Sequence, residues 1–251
     1  MGRMDRKGSG LKVFVTVDDV GMAAGVNSAV EMLLPCGVIH CLSIMATGPE
    51  LSTAVELARS SNVAVSVHLN CVQPPYLLED EFPASHFTWF RKGGKYADKV
   101  RNEWRSQIDK ILSAGLQVSR LDSHQHIHNA AGLRDVILDL AVEYGIGTVR
   151  GAVLPDRFQS PSCFILDMLG RKLRRSAISR SIKTPDLMLG FSKSGNVCRE
   201  YLQSIDGRIE GEGVAELVMH PATTPVWAST QTDELELMRS EWFAEWLKKH
   251  S

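Results

Sequence analysis

The sequence lacks the signatures of several common activities. It has no G-x-S-x-G turn, no phosphate-cradling P-loop and no G-x-G-x-x-G fingerprint. Serine hydrolysis of the α/β-hydrolase type, P-loop nucleotide chemistry and dinucleotide binding are therefore not indicated. Charge of one sign is missing as well. Twenty-eight basic residues face 29 acidic ones, a net charge of -1, which argues against a nucleic-acid partner. The five cysteines (Cys36, Cys41, Cys71, Cys163, Cys198) form an odd set without C-x-x-C spacing. Zinc fingers, redox pairs and a closed disulfide framework are excluded, and reduced, mostly buried thiols are expected. No apolar run is long enough for a membrane span. The charge-free stretch from Met32 to Pro49 is punctuated by Pro35, Gly37 and His40. Near the start, Val13 to Val17 is too short for a signal-peptide core, and Arg6 stands where a myristoylation motif needs Ser or Thr. A cytoplasmic protein is expected, with residues 1–10 disordered.

What is present is alternation. Short β-branched runs occur at Val13–Val17, Ile39–Met45, Val63–Val67, Val118–Leu121, Gly147–Val149, Leu187–Leu189 and Ala215–Met219. Between them the apolar spacing is helical. Val26, Val30, Leu33 and Leu34 share one face, as do Val100, Trp104, Ile108, Ile111 and Leu112, and again Leu133, Val136, Ile137, Leu140 and Tyr144. Gly115 and Gly145 stand where helix C-caps belong. Leu235, Met238, Trp242 and Trp246 read as one last amphipathic helix, packed on its own barrel or on a second copy in a homodimer. With 251 residues and no dividing linker, the chain reads as a single-domain α/β protein. The expected fold is a distorted (β/α) barrel with about seven parallel strands, with a doubly wound open sheet as the alternative. Gln73 to Ala97, holding Pro74, Pro75, Pro83, Gly93 and Gly94, reads as a long loop.

The chemistry lies after the strands. Val13–Val17 runs into Asp18-Asp19, Val63–Val67 into His68, and Val118–Leu121 into Asp122-Ser123-His124-Gln125-His126-Ile127-His128. Gly147–Val149 ends at Arg150, and Ala215–Met219 at His220-Pro221. In a parallel α/β fold these strand ends lie on one face, where active sites are built. Asp18-Asp19 alone reads equally as a turn or cap, and a lone histidine as structural. Three histidines at alternate positions share a face if the segment is extended, so they bind metal or line a pocket. A carboxylate with two imidazoles suits a divalent cation with open positions. A second carboxylate and a further histidine would then serve as base and acid.

At these residues the chain resembles the YdjC-like carbohydrate deacetylase family. The resemblance rests on Val17-Asp18-Asp19-Val20-Gly21-Met22 with Gly25-Val26-Asn27, on Val67-His68-Leu69, on Leu121 to His128, and on Met219-His220-Pro221. It implies a distorted (β/α) barrel that removes acetyl groups from N-acetylated sugars of the chito-oligosaccharide type, by attack of a metal-bound water on the amide carbonyl. It implies one Mg2+ or Zn2+ ion held by Asp19, His68 and His124. Asp18 would then be the general base, oriented by Arg150, and His220 the general acid; the roles of Asp18 and Asp19 can be exchanged. The chain departs from the family at Asn70-Cys71-Val72-Gln73-Pro74-Pro75 and at Ala222, changes that bear on substrate identity.

His126, His128 and Trp89 join the substrate-binding candidates. Trp89, Phe87 and Phe90 could stack on a sugar ring or pack in the core or a lid. Two rival functions stand beside deacetylation. One is a different metal-dependent barrel hydrolase, acting on a non-sugar amide or on a phosphate ester held by Arg91, Lys92 and Lys95. The other is a non-catalytic sugar-binding protein. The expected partner is a small-molecule or oligosaccharide substrate, with neither nucleic acid nor membrane involved.

Overall fold

The computed structural model describes residues 11–78, 81–83, 85–209 and 212–251. The expected disorder of residues 1–10 lies outside them. Seven strands, β1 (Lys12–Val20), β2 (Cys41–Ile44), β3 (Ala64–Leu69), β4 (Arg120–Ser123), β5 (Thr148–Val149), β6 (Leu187–Leu189) and β7 (Val214–Met219), form one sheet. Every pairing is parallel, in the order β5-β4-β3-β2-β1-β7-β6. That is the order of a barrel wound in chain sequence and opened between β5 and β6. The seam is bridged just before β6: Val149 donates to Lys183 O at 3.0 Å, and Lys183 N donates to Gly147 O at 2.9 Å. The fold is a distorted (β/α) barrel with a curled sheet, as expected; the open doubly wound alternative falls away.

Helices α1 (Ala24–Leu33), α2 (Leu51–Arg59), α3 (His86–Lys92), α4 (Ala97–Ser113), α5 (Leu133–Glu143), α6 (Pro161–Ile178), α7 (Arg199–Ile205), α8 (Gln231–Arg239) and α9 (Glu241–Lys249) accompany the sheet. Their apolar stripes bury Val26, Val30 and Leu33 on α1, and Val100, Trp104, Ile108 and Ile111 on α4. Leu112, expected on that stripe, is 38% exposed. Gly115 and Gly145 adopt φ of 75° and 66°, the left-handed conformation a C-cap glycine supplies without Cβ strain. Two expectations need correcting. The segment Gln73 to Ala97 is not all loop, because it holds α3, whose Trp89 is wholly buried. The single C-terminal helix is two, since Ser240 closes α8 and caps α9 by accepting from Phe243 N. Phe243 and Trp246 of α9 are buried in the chain's own core.

Of the five cysteines, Cys41, Cys71 and Cys163 are buried, Cys198 is half-buried and Cys36 is exposed. Among the described residues no helix is long and apolar enough to cross a membrane.

Candidate metal and catalytic centre

The strands run further than the β-branched runs that marked them. Asp18 and Asp19 lie inside β1, and His68 inside β3, rather than past their ends. In β3 the parallel ladder continues through His68, which pairs with Asp122, and on to Leu69, which pairs with Ser123. In β1 the register slips between Val17 and Val20, and Asp19 takes a left-handed φ of 60°. A regular strand would send adjacent side chains to opposite faces. The bulge instead brings both carboxylates to the mouth of the barrel, each 2% exposed. A non-glycine residue held at positive φ costs on the order of 1–3 kcal/mol and is found where function fixes it.

Three of the singled-out residues meet there. Asp19 Oδ1 lies 3.2 Å from His68 Nε2 and 2.9 Å from His124 Nδ1, and the two nitrogens are 3.3 Å apart. Although buried and flanked by both rings, Oδ1 meets no donor in hydrogen-bonding geometry. Three lone-pair atoms with these separations are what ligands ~2.1 Å from one shared cation present. The residues fit a divalent ion, and Asp19, His68 and His124 form a group able to hold one. Burial opposes ionisation of Asp19, yet His124 and His68 hold its carboxyl well below the usual range. The other Asp19 oxygen accepts from Trp227 Nε1 at 3.0 Å.

Behind His68 stands Asp122, the first residue of the Asp122-to-His128 string. Its Oδ1 is 2.5 Å from His68 Nδ1 and accepts from Ser43 at 2.7 Å, while Oδ2 accepts from Ser66 at 2.5 Å. A carboxylate on Nδ1 fixes the ring's orientation and turns Nε2 toward Asp19 and His124. Burial alone would lower the His68 imidazole, but Asp18 and Asp122 raise it to about 10.

Asp18 Oδ2 lies 4.0 Å from the same His68 nitrogen, Nδ1. Arg150 grips both its oxygens, Nη1 to Oδ2 at 2.7 Å and Nη2 to Oδ1 at 2.8 Å, a bidentate pair that fixes the carboxylate plane. Arg150 also reaches Glu216 Oε1 at 3.1 Å and Asp122 at 3.5 Å. Glu216 in turn pairs with Arg120 at 3.0 Å and accepts from Thr16 at 2.7 Å. Opposite, His220 Nε2 stands 4.0 Å from Asp18 Oδ2. Its ring meets Trp227 edge-on at 5.1 Å. Burial lowers the His220 imidazole, with Asp19 and Asp18 opposing in part. Its backbone N–H donates to the buried Glu234 at 2.6 Å, which pins the turn carrying the ring.

Asp18, Asp19, His68, His124, His126 and His220 line one cleft of about 410 Å3, with Gln73, Phe191 and Trp227 among its other walls. The three alternate histidines do not share a face. The segment is a tight helical turn in which Gln125 and His126 both take left-handed φ, 54° and 55°. His126 therefore reaches the cleft, with its ring 5.4 Å from Phe191, whereas His128 turns inward. His128 is wholly buried, Nδ1 lying 2.7 Å from Ser123 Oγ and Nε2 3.0 Å from Arg150 O. Burial lowers it to about 4, so it is a neutral brace for Arg150 and no substrate contact. Trp89 is likewise out of reach, its indole donating to Pro83 O in the core. Trp227, Glu216, Glu234 and Asp122 were not singled out for the site.

Fold and site together define an α/β barrel protein with a buried Asp-His-His group at the mouth of the sheet. The chain belongs to the YdjC-like protein family, whose family model matches residues 12–249. It is 26% identical over 220 residues to the carbohydrate deacetylase of Thermoanaerobacter pseudethanolicus, spanning 84% of this chain and 80% of that one. It is 29% identical over 165 residues to the carbohydrate deacetylase of Vibrio parahaemolyticus, spanning 62% of this chain and 65% of that relative. A crystal structure from Enterococcus faecalis V583, of a protein to which cellobiose-phosphate cleavage is provisionally ascribed, superposes with a TM-score of 0.74 at 24% identity, covering 96% of this chain and 95% of that one. That likeness speaks to the fold.

Proposed function

We propose that this chain is a metal-dependent hydrolase that removes the acetyl group from N-acetylated sugars, working as one catalytic domain in the cytoplasm. The observation that carries this reading is the meeting of an Asp19-His68-His124 group with an Arg-gripped carboxylate and a facing histidine in one cleft. The relatives named carbohydrate deacetylase support the substrate class, and the family resemblance makes chito-oligosaccharides the first substrates to try.

A Mg2+ or Zn2+ ion at Asp19, His68 and His124 would polarise a carbonyl and lower the pKa of water toward ~7. The chain's own groups do the rest. Asp18 Oδ2 takes a proton from the attacking water, while Arg150 keeps both carboxylate oxygens in a fixed plane. His220 Nε2, 4.0 Å across from that oxygen, gives a proton to the departing amine nitrogen. Trp227 orients two groups at once, donating to Asp19 and packing on His220. His126, Phe191 and Trp227 wall the sugar. Arg91, Lys92 and Lys95, which a phosphate ester would call on, do not line this cleft; Arg91 lines the adjoining cavity instead.

The test is acetate release from N-acetylglucosamine oligomers. Activity should vanish in chelator and return with the added ion. Asp18→Asn should lower kcat by about 10²–10⁴-fold, the range general-base catalysis contributes. Full activity in Asp18→Asn would remove its role as base, and no acetate from any acetylated amino sugar would remove the deacetylase reading.

A further inference from the structure

A second cavity, of about 490 Å3, adjoins the cleft and shares Gln125 and Phe191 with it. Its remaining walls are Phe87, Phe90 and Arg91 of α3 and Ser162, Ile165 and Leu166 of α6, so the lining is largely apolar. A group attached to a sugar in the cleft can therefore pass Gln125 and Phe191 directly into this space. The wall chemistry says what that group is. Hydroxyls of a further sugar ring would meet polar side chains only at Arg91, Gln125 and Ser162, and against Phe87, Phe90, Ile165, Leu166 and Phe191 they would give up hydrogen bonds to water and gain none. A hydrocarbon loses nothing there and leaves water.

The apolar surface does not end at the cavity. Phe87 is 66% exposed and Ile165 48% exposed, and on α6 the neighbouring Phe164 and Met168 are 49% and 42% exposed. Phe158, 79% exposed, stacks on Phe164 with ring centres 6.3 Å apart. Large apolar side chains grouped beside a cleft mark a binding surface, whereas scattered ones are ordinary.

We propose that the acetylated sugar acted on by this protein carries a hydrocarbon aglycone, seated against Phe87, Phe90, Ile165 and Leu166 while the acetamide faces Asp19, His68 and His124. The proposal rests on the deacetylase reading and narrows it. The exposed strip along α6 continues the path for a chain too long for the cavity.

Three N-acetylglucosamine substrates decide it: the methyl glycoside, the octyl glycoside below its micelle-forming concentration, and the N-acetylated disaccharide. Each methylene moved out of water favours binding by about fourfold, so burial of part of the octyl chain should raise kcat/KM ten- to hundredfold over the methyl glycoside. Ile165→Asp and Phe87→Ser, both at exposed positions, should bring the octyl-to-methyl ratio toward one, with thermal melting used to verify folding. Equal kcat/KM for octyl and methyl glycosides, a disaccharide preferred over the octyl glycoside, or a ratio unchanged in both variants would overturn the proposal. If no substrate releases acetate, the deacetylase reading fails. The cavity is then judged by titrating the protein with the octyl and methyl glycosides in chelator, where tighter octyl binding supports it and equal binding overturns it.

Discussion

Replacing Asp122 with Asn tests the reasoning about the metal position more sharply than removing a ligand would. The substitution keeps the shape and removes one charge from behind His68. Asp122 accepts from Ser43 at 2.7 Å, from Ser66 at 2.5 Å and from His68 Nδ1 at 2.5 Å, with Arg150 at 3.5 Å. An amide preserves at most part of that set and no longer fixes which His68 nitrogen carries the proton. Loss of such a support typically costs about 10–100-fold in metal affinity, or roughly 1.4–2.7 kcal/mol. The folding cost should be of similar size, about 1–3 kcal/mol, because one buried acceptor becomes a donor. It should stay below the ~3–5 kcal/mol of a stripped ion pair, since Arg150 keeps Asp18 and Glu216. Competition titration with a chromogenic chelator measures the affinity, and urea unfolding measures the stability. Acetate release at saturating metal should recover to within about tenfold of wild type if Asp122 acts only through His68. Unchanged metal affinity in a folded Asp122→Asn protein would refute the argument. A loss of turnover that saturating metal cannot restore would move Asp122 into the reaction itself.

Two further outcomes depend on pH. Because the His68 imidazole is raised to about 10, it is protonated at neutral pH in the ion-free protein, and a cation at Nε2 must displace that proton. Calorimetry at pH 7 in buffers of different ionisation enthalpy should show about one proton released per ion, with affinity rising about tenfold per pH unit below 10; zero release would sink this. Burial raises Glu234 from 4.5 to about 7, against the N–H groups of Val197 and His220 that favour its charged form. The associated stability is fully present below pH 4.5 and lost as pH rises through about 7. Relative to Glu234→Gln, wild type should therefore weaken by about 3 kcal/mol between pH 4.5 and 8, and a difference in unfolding free energy that does not change with pH would contradict it.

The sheet was legible because its strands are β-branched and buried on both sides. Leu187–Leu189 was placed residue for residue, and the other strands differ only at their ends. Those ends were misjudged for a physical reason: the strands continue through Asp18, Asp19 and His68, polar residues that a hydrophobic criterion stops at. The meeting of Asp19, His68 and His124 was legible from their places near strand ends. Asp122 and Glu216 were not singled out, though a signal existed. Thr16 and Asp18, Ser66 and His68, and Arg120 and Asp122 are polar pairs two apart on apolar strands, the spacing that puts side chains on one face. Read together, they describe a barrel whose interior is polar toward one end. The inward turn of His128 could not be read this way. It depends on successive left-handed residues at Gln125 and His126, neither of them glycine. Trp227 was invisible for another reason: its contact with Asp19 spans 208 positions and is set by packing rather than by pattern.

The polar interior also bears on the charge of the ion that Asp19, His68 and His124 would hold. Four carboxylates, Asp18, Asp19, Asp122 and Glu216, are buried beside two guanidinium groups, Arg150 and Arg120. With His68 neutral and ligating, the residual charge of that group is two negative units. A divalent cation at Asp19, His68 and His124 brings it to neutrality, and a monovalent one leaves a buried charge uncompensated. Burying an uncompensated charge is costly enough that such groups neutralise themselves by titration instead. The raised His68 is that response, with its proton supplying one of the two missing charges. On the proposed reading, the carboxylates that hold Arg150 against Asp18 would therefore also favour a doubly charged ion at Asp19, His68 and His124, so the orientation of Asp18 and the preference for such an ion would arise from one network.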